Sequence, residues 1–119
     1  MRKHGEGGSI VLIASIMGRS SAPAHANYSA SKAGMRLLAK AAALELGAEG
    51  IRVNTVLPGL SRSDMTSGFD EAAVAPMLIP FGRFGKAEEV ADTVLFAASA
   101  RSKFMTGAEL VIDGGMLAR

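Results

Sequence analysis

The sequence predicts an α/β chain organised on a parallel, doubly wound sheet of about three strands. Three observations carry this. Apolar runs rich in β-branched residues recur at residues 9–14, 51–57 and 109–112. Stretches with helical spacing of apolar residues, 27–49 and 86–100, separate them. Glycine, proline and serine punctuate the junctions. Strand, long helix, strand, helix, strand implies right-handed crossovers and parallel pairing.

Each element follows from its residues. The run at 9–14 comes after Gly7-Gly8 and lacks polar alternation, so it suits a strand covered on both faces. Ser15 ends it, and residues 18–26, rich in Ser, Gly, Ala and Pro, read as a loop. The helix expected over 27–49 has Asn27 as its cap, and Gly47 and Gly50 weaken its far end. Leu37, Leu38, Ala41, Ala42, Leu44 and Leu46 give it a broad apolar face, which serves either the core or a second subunit. The strand at 51–57 is stopped by Pro58-Gly59. Residues 60–80 are polar and irregular, with a short helix expected over 70–77. Such a segment after a strand end is either a lid over a substrate or a plain surface loop. Residues 81–85 form a turn. The helix at 86–100 carries Val90, Ala91, Val94, Leu95 and Ala98 on one side. Thr106-Gly107 turns the chain into the strand at 109–112, which Asp113-Gly114-Gly115 closes.

Composition excludes several classes. The 119 residues are nearly half apolar, enough for one domain with one core. Net charge is +2 with Lys and Arg scattered singly, so neither nucleic acid nor an anionic membrane is an expected partner. There is no cysteine, which removes disulfides, thiolate metal sites and a cysteine nucleophile together and fits a reducing, cytoplasmic setting. His4 and His25 stand apart from any carboxylate cluster, so no metal site is expected. Met1-Arg2-Lys3, the apolar run at 10–17 and Ala22-Pro23-Ala24-His25-Ala26 have the outline of a short secretory leader. Gly5-Glu6-Gly7-Gly8 interrupts that outline, Arg19 follows the run closely, and cleavage would leave Tyr28 almost at the new terminus. No leader is expected, and no stretch is long enough to span a bilayer.

The chemistry gathers on Ala26-Asn-Tyr28-Ser-Ala-Ser-Lys32. On a helix Tyr28 and Lys32 share a face, one turn apart. An ammonium beside a phenol favours the phenolate and draws its pKa down from roughly 10 toward working pH. Such a phenol can give a proton to a substrate oxygen or take one from it. The spacing alone is also common on ordinary helix surfaces. Position adds weight: Ser15 ends one strand, Tyr28 opens the next helix, and Pro58-Gly59 ends the second strand. All fall on the carboxyl rim of the sheet, where open parallel sheets bind ligands.

Over essentially all 119 residues the chain resembles the C-terminal half of a short-chain dehydrogenase/reductase. Within that family it is most similar to the 3-oxoacyl-acyl-carrier-protein reductase branch. The features that carry the resemblance fall in the family's order. They are Ser15 at a strand end, Tyr28-Ser-Ala-Ser-Lys32 thirteen residues on, Ile51-Arg-Val-Asn-Thr-Val-Leu-Pro-Gly59, and Thr106-Gly107 through Asp113-Gly114-Gly115. The resemblance implies a partial Rossmann-like sheet, NAD or NADP as cofactor, and a small carbonyl or alcohol substrate. It implies that Tyr28 is the general acid or base, that Lys32 keeps a charge beside it and bonds the nicotinamide ribose, and that Ser15 grips the substrate oxygen. Pro58, Gly59, Ser61 and Ser63 would hold the nicotinamide carboxamide. A homo-oligomer is implied for the intact protein.

The family's Gly-rich fingerprint, which offers backbone N–H groups to the pyrophosphate, has no match here. Gly5, Gly7 and Gly8 precede a strand instead of joining a strand to a helix. Residues 1–119 are therefore expected to be the catalytic part of a single cofactor-binding domain, without turnover on their own. The alternative is a truncated, non-enzymatic module for oligomerisation or interaction.

Overall fold

The structure, a computed structural model, describes residues 1–118. Strands β1 (Gly8–Ile13), β2 (Ile51–Pro58) and β3 (Glu109–Ile112) form one parallel sheet in the order β1-β2-β3. Helix α1 (Ala26–Leu46) joins β1 to β2. Helices α2 (Glu71–Leu78) and α3 (Ala87–Ala98) lie between β2 and β3. The predicted α/β class and all three strands are found, within a residue or so of their expected ends. Among the described residues no helix is long and apolar enough to cross a membrane.

Strand alternation puts the two long helices on opposite faces. Ile51 and Val53 pack with Ala39 and Ala43 of α1. Arg52, pointing the other way, donates to the Ala97 carbonyl of α3 at 2.9 Å, and Ser9 Oγ donates to the same carbonyl at 3.1 Å. Among the described residues β2 is the strand most fully covered, with five consecutive buried residues, Val53 to Leu57. The expectation that the 9–14 run is buried on both faces is corrected: β1 is an edge strand, and Ile10 and Ile13 remain exposed. Backbone pairing shows how open that edge is. Gly8 N–H bonds Gly50 and Ala14 N–H bonds Val56, so even-numbered residues face β2 while Ser9, Val11 and Ile13 face away.

Both long helices are rotated from their expected faces. Leu37 is 69% and Leu44 87% exposed, and Leu38 is exposed with them. The residues that enter the core are small, Ala39 and Ala43, because α1 lies close on the sheet. The cap also moves. His25 holds the N-cap position without a side-chain bond, and Asn27 sits inside the first turn with Oδ1 accepting from Tyr28 N–H. Helix α1 ends at Leu46, and a 3-10 turn runs on to Gly50, whose φ of 69° is left-handed. On α3, Val90 and Val94 are half-buried as expected, but Ala91, Leu95 and Ala98 face outward and Ala97 is the fully buried position. Helix α2 forms where a short helix was expected, with Asp70 Oδ1 capping Ala72 and Ala73 N–H.

Two polar clusters lock the sheet. Asn54, fully buried, donates to the Met105 carbonyl at 2.9 Å and accepts from Ala108 N–H at 3.0 Å. Glu109, at the start of β3, is ringed by Arg36, Lys40 and Arg19 at 3.0 to 3.3 Å. Burial pushes the Glu109 pKa up, but hydrogen bonds from Arg36 and Lys40, and their charges, hold it below the ordinary 4.5. Glu89 is drawn down to about 2 by Arg83 and by Lys86 N–H at the head of α3.

Replacing Asn54 with Leu leaves the Ala108 N–H without its partner and the Met105 carbonyl with only the longer Arg52 bond of 3.4 Å. Asn54→Leu is expected to lower unfolding free energy by about 1–3 kcal/mol in denaturant titration. Carboxylates with lowered folded pKa values contribute fully above the unfolded value and lose that contribution as pH falls through the folded one. Melting temperature should therefore drop as pH falls from 4.5 toward 2. Glu109→Gln should flatten part of that drop in melts followed by circular dichroism.

Candidate active site

The site is built where β1 and β2 run out. Two residues past β1, Ser15 caps a 3-10 turn, Ile16–Gly18, with its Oγ accepting from Met17 N–H at 3.1 Å. It is 8% exposed, between buried Ala14 and Ile16. Among the described residues its hydroxyl proton has no acceptor, so a donor is held in place with its hydrogen unspent.

Tyr28 is the third residue of α1 and half-buried. Its main chain is well tied: N–H to Asn27 Oδ1, and C=O accepting from Ser31 Oγ at 2.7 Å. Lys32 Nζ lies 5.6 Å from the Tyr28 ring centroid, within the range of a cation–π contact. The same ammonium donates to the Ile13 carbonyl at 3.2 Å and lies 3.9 Å from Met35 Sδ. The strand end and the helix are thus joined through Lys32. Gly18 presses on the helix at the same turn, where a Cβ would meet the Lys32 carbonyl carbon at 2.8 Å. Ser15, Tyr28 and Lys32 therefore share one corner of the sheet.

Pro58 is the last residue of β2, opposite Ile112, and Gly59 N–H bonds the Ile112 carbonyl at 2.9 Å. Ser61 pairs with Gly85 as an isolated bridge, and its Oγ donates to the Gly59 carbonyl at 3.4 Å. Ser63 caps a short 3-10 turn, Asp64–Thr66, sharing a reciprocal capping box with Thr66. These four line the neighbouring part of the rim, but both serine hydroxyls are engaged locally. Among the described residues none bonds to Tyr28 or Lys32. A small cavity of about 160 Å³ lies beside Ser61, bounded by Phe81, Arg83 and Gly114. A larger one, about 560 Å³, opens at the opposite rim around Gly8, Arg52 and Phe104 and touches none of the candidate residues.

Sequence reading missed three participants. The Ile13 carbonyl is a backbone group with no sequence signature. Met35, one turn beyond Lys32, reads as a core residue. Arg62 clamps Glu71 through two hydrogen bonds of 2.9 and 3.0 Å, and Glu71 also accepts from Phe84 N–H, which fastens the root of the segment after β2. An Arg and a Glu nine residues apart across an irregular stretch give no periodic signal.

The family model described as Enoyl-(Acyl carrier protein) reductase matches residues 1–117. A curated relative, 3-oxoacyl-[acyl-carrier-protein] reductase FabG of Thermotoga maritima, is 46% identical over 112 residues, covering 92% of this chain and 46% of that protein. The Staphylococcus aureus protein of the same name is 43% identical over 111 residues, covering 92% and 45%. Among solved structures, a short-chain type dehydrogenase/reductase from Mycobacterium marinum superposes with TM-score 0.89 at 39% identity, over 98% of this chain and 47% of that one. ElxO with NADP bound gives TM-score 0.90 at 33% identity, over 100% and 50%. The chain spans about half the length of the curated relatives it matches.

One feature of the approach to Tyr28 is directly testable. Ala24 has φ of 64°, in the left-handed region that costs a residue with a Cβ about 1–2 kcal/mol. Glycine there relieves the strain but adds about 0.4–1 kcal/mol of unfolded-chain entropy. Ala24→Gly should thus stabilise the chain by about 0.5 kcal/mol, read as a small upward shift in denaturation midpoint.

Proposed function

The chain belongs to the short-chain dehydrogenase/reductase family, and we propose from that premise that it is the catalytic part of an NAD(P)-dependent oxidoreductase. The reaction is reduction of a ketone or oxidation of a secondary alcohol. The observation that carries this reading is the Lys32 ammonium, bonded to the carbonyl two residues before Ser15 while lying over the Tyr28 ring. A 3-oxoacyl thioester is the first substrate to test, because the curated relatives are named for that reduction.

In this mechanism the Tyr28 hydroxyl gives its proton to the substrate oxygen, or takes one in the reverse direction. Ser15 donates its free proton to the same oxygen and fixes it in place. Lys32, which lies over the phenol ring, would with Tyr28 hold the nicotinamide ribose. Pro58, Gly59, Ser61 and Ser63 would hold the carboxamide. When bound, NAD(P) supplies or accepts the hydride. The residues fit that end of the cofactor: among the described residues the Tyr28 hydroxyl and the Ser15 proton have no hydrogen-bond partner, and Lys32 has donor capacity to spare. No Gly-rich turn joins a strand to a helix among the described residues, so the pyrophosphate has no cradle here. We therefore take residues 1–119 as one part of a single cofactor-binding domain.

A second observation favours self-association. Ala30, Gly34, Leu37, Ala41 and Leu44 repeat at spacings of four and three along the exposed side of α1. Small residues alternating with leucine on that seam suit close packing against a second helix, and the occupant that fits best is the same seam on another copy.

The isolated chain is expected to show no NAD(P)H oxidation with ketone substrates. Fused to the preceding half of the Thermotoga maritima reductase, it should turn over. Tyr28→Phe in that fusion should cut kcat about a thousandfold while cofactor still binds. Retained activity in the variant would reject the acid–base role. Light scattering tests the seam: the chain should be an oligomer, and Leu37→Glu with Leu44→Glu should dissociate it. A monomeric parent would sink that reading.

A further inference from the structure

The turn that follows β3 is packed against the end of β2, against the core beside Ser15 and against the root of the segment after β2. Gly59, at the end of β2, is pressed against it so closely that a Cβ would lie 2.8 Å from Asp113 Cα and 3.2 Å from Met116 Sδ. Gly114 and Gly115, at φ of 62° and 94°, fit the same turn against the root of the segment after β2. A Cβ on Gly114 would meet Ile79 at 2.7 Å, and one on Gly115 would meet Pro80 at 2.9 Å. Phe81 N–H also bonds the Gly114 carbonyl at 3.2 Å. Met116 is the shared element of two cores. It packs with Ala14, Ile16 and Leu57 around Ser15, and with Ala75, Ile79 and Phe84 below α2.

Asp113 keeps this turn closed. Its Oδ1 accepts from Gly115 N–H and its Oδ2 from Leu117 N–H, both at 2.8 Å. A carboxylate at the carboxyl rim invites an acid–base or cation-binding role. Here both oxygens are taken by backbone donors, and among the described residues no cationic side chain pairs with it.

We propose that Asp113 and Met116 are positioning residues: the turn after β3 fixes the distance between the strand end that carries Ser15 and the root of the segment after β2. Asp113 acts by shaping the turn and Met116 by wedging between the two cores. The proposal rests on the hydride-transfer reading only in calling Ser15 part of the site; the coupling is a property of the chain itself. Substrates that lift residues 60–80 would be felt at Ser15 through Met116, because close-packed side chains transmit a shift instead of absorbing it.

Amide hydrogen exchange on the 119-residue chain tests this. Met116→Ala should speed exchange about tenfold or more at both residues 15–19 and residues 79–85, while Val53 and Val56 in the central strand keep their protection. Met116→Leu, which restores the volume, should return both segments to within about twofold of the parent. Acceleration in one segment alone, or a uniform rise that includes β2, would overturn the coupling. Should Met116→Ala not fold, Asp113→Asn keeps the shape and one acceptor, and should move the same two segments by about threefold. No response in either would equally overturn it. Exchange needs no turnover, so a fused enzyme that fails to transfer hydride would leave this result standing.

Discussion

The structure hangs on two polar side chains of its central strand, half-buried Arg52 and fully buried Asn54. Arg52 and Asn54 lie side by side on the α3 face of β2, and their desolvation is tolerable only if every donor and acceptor is met. Arg52 does this with main-chain carbonyls and one hydroxyl. Its two terminal nitrogens donate to the carbonyls of Ala97, Ala98, Ser99 and Met105 and to Ser102 Oγ, at 2.9 to 3.4 Å. The first three of those carbonyls lie at the end of α3, where a cation is also favoured by the helix dipole. Asn54 then binds both sides of the connection that enters β3. One strand thereby fixes where a helix stops and where the next strand begins.

Much of the site geometry is inherited from that arrangement. With β3 in register, Thr55 opposite Glu109 and Pro58 opposite Ile112, the carboxylate of Glu109 lies within reach of the α1 cations and the following turn lands against Gly59. Arg36 also donates to the Gly18 carbonyl, so one guanidinium ties the turn after Ser15 to β3. The candidate chemistry depends on three strand ends being level, and polar contacts in the body of the sheet keep them so.

What could be read from the sequence follows from what each signal measures. The three strands were legible because β-branched runs bounded by Gly and Pro mark strands directly, and the short helix at α2 because Asp70 announces it. Helix faces were less so. Apolar residues ring α1, so periodicity does not say which stripe points inward; steric fit decides, and it chose Ala39 and Ala43 over the leucines. On α3 the buried position, Ala97, is no more apolar than Ala91 or Ala98. Tyr28, Lys32 and Ser15 stand out in the sequence because type, order and spacing combine in them. The partner of Lys32 does not, since a carbonyl belongs to every residue and only the register of β1 selects that of Ile13.

That carbonyl lies on the side of β1 that faces away from β2, one of the two edges of the sheet whose main-chain groups have no strand beside them among the described residues. Sheets commonly guard such a flank with lysine, whose charge discourages another strand from docking there. Lys32 is thus both a candidate for chemistry and a sentinel against stacking of one molecule on the next. Substituting it to interrogate the reaction strips the guard as well, so precipitation of such a variant would report a bared border and say nothing about proton transfer.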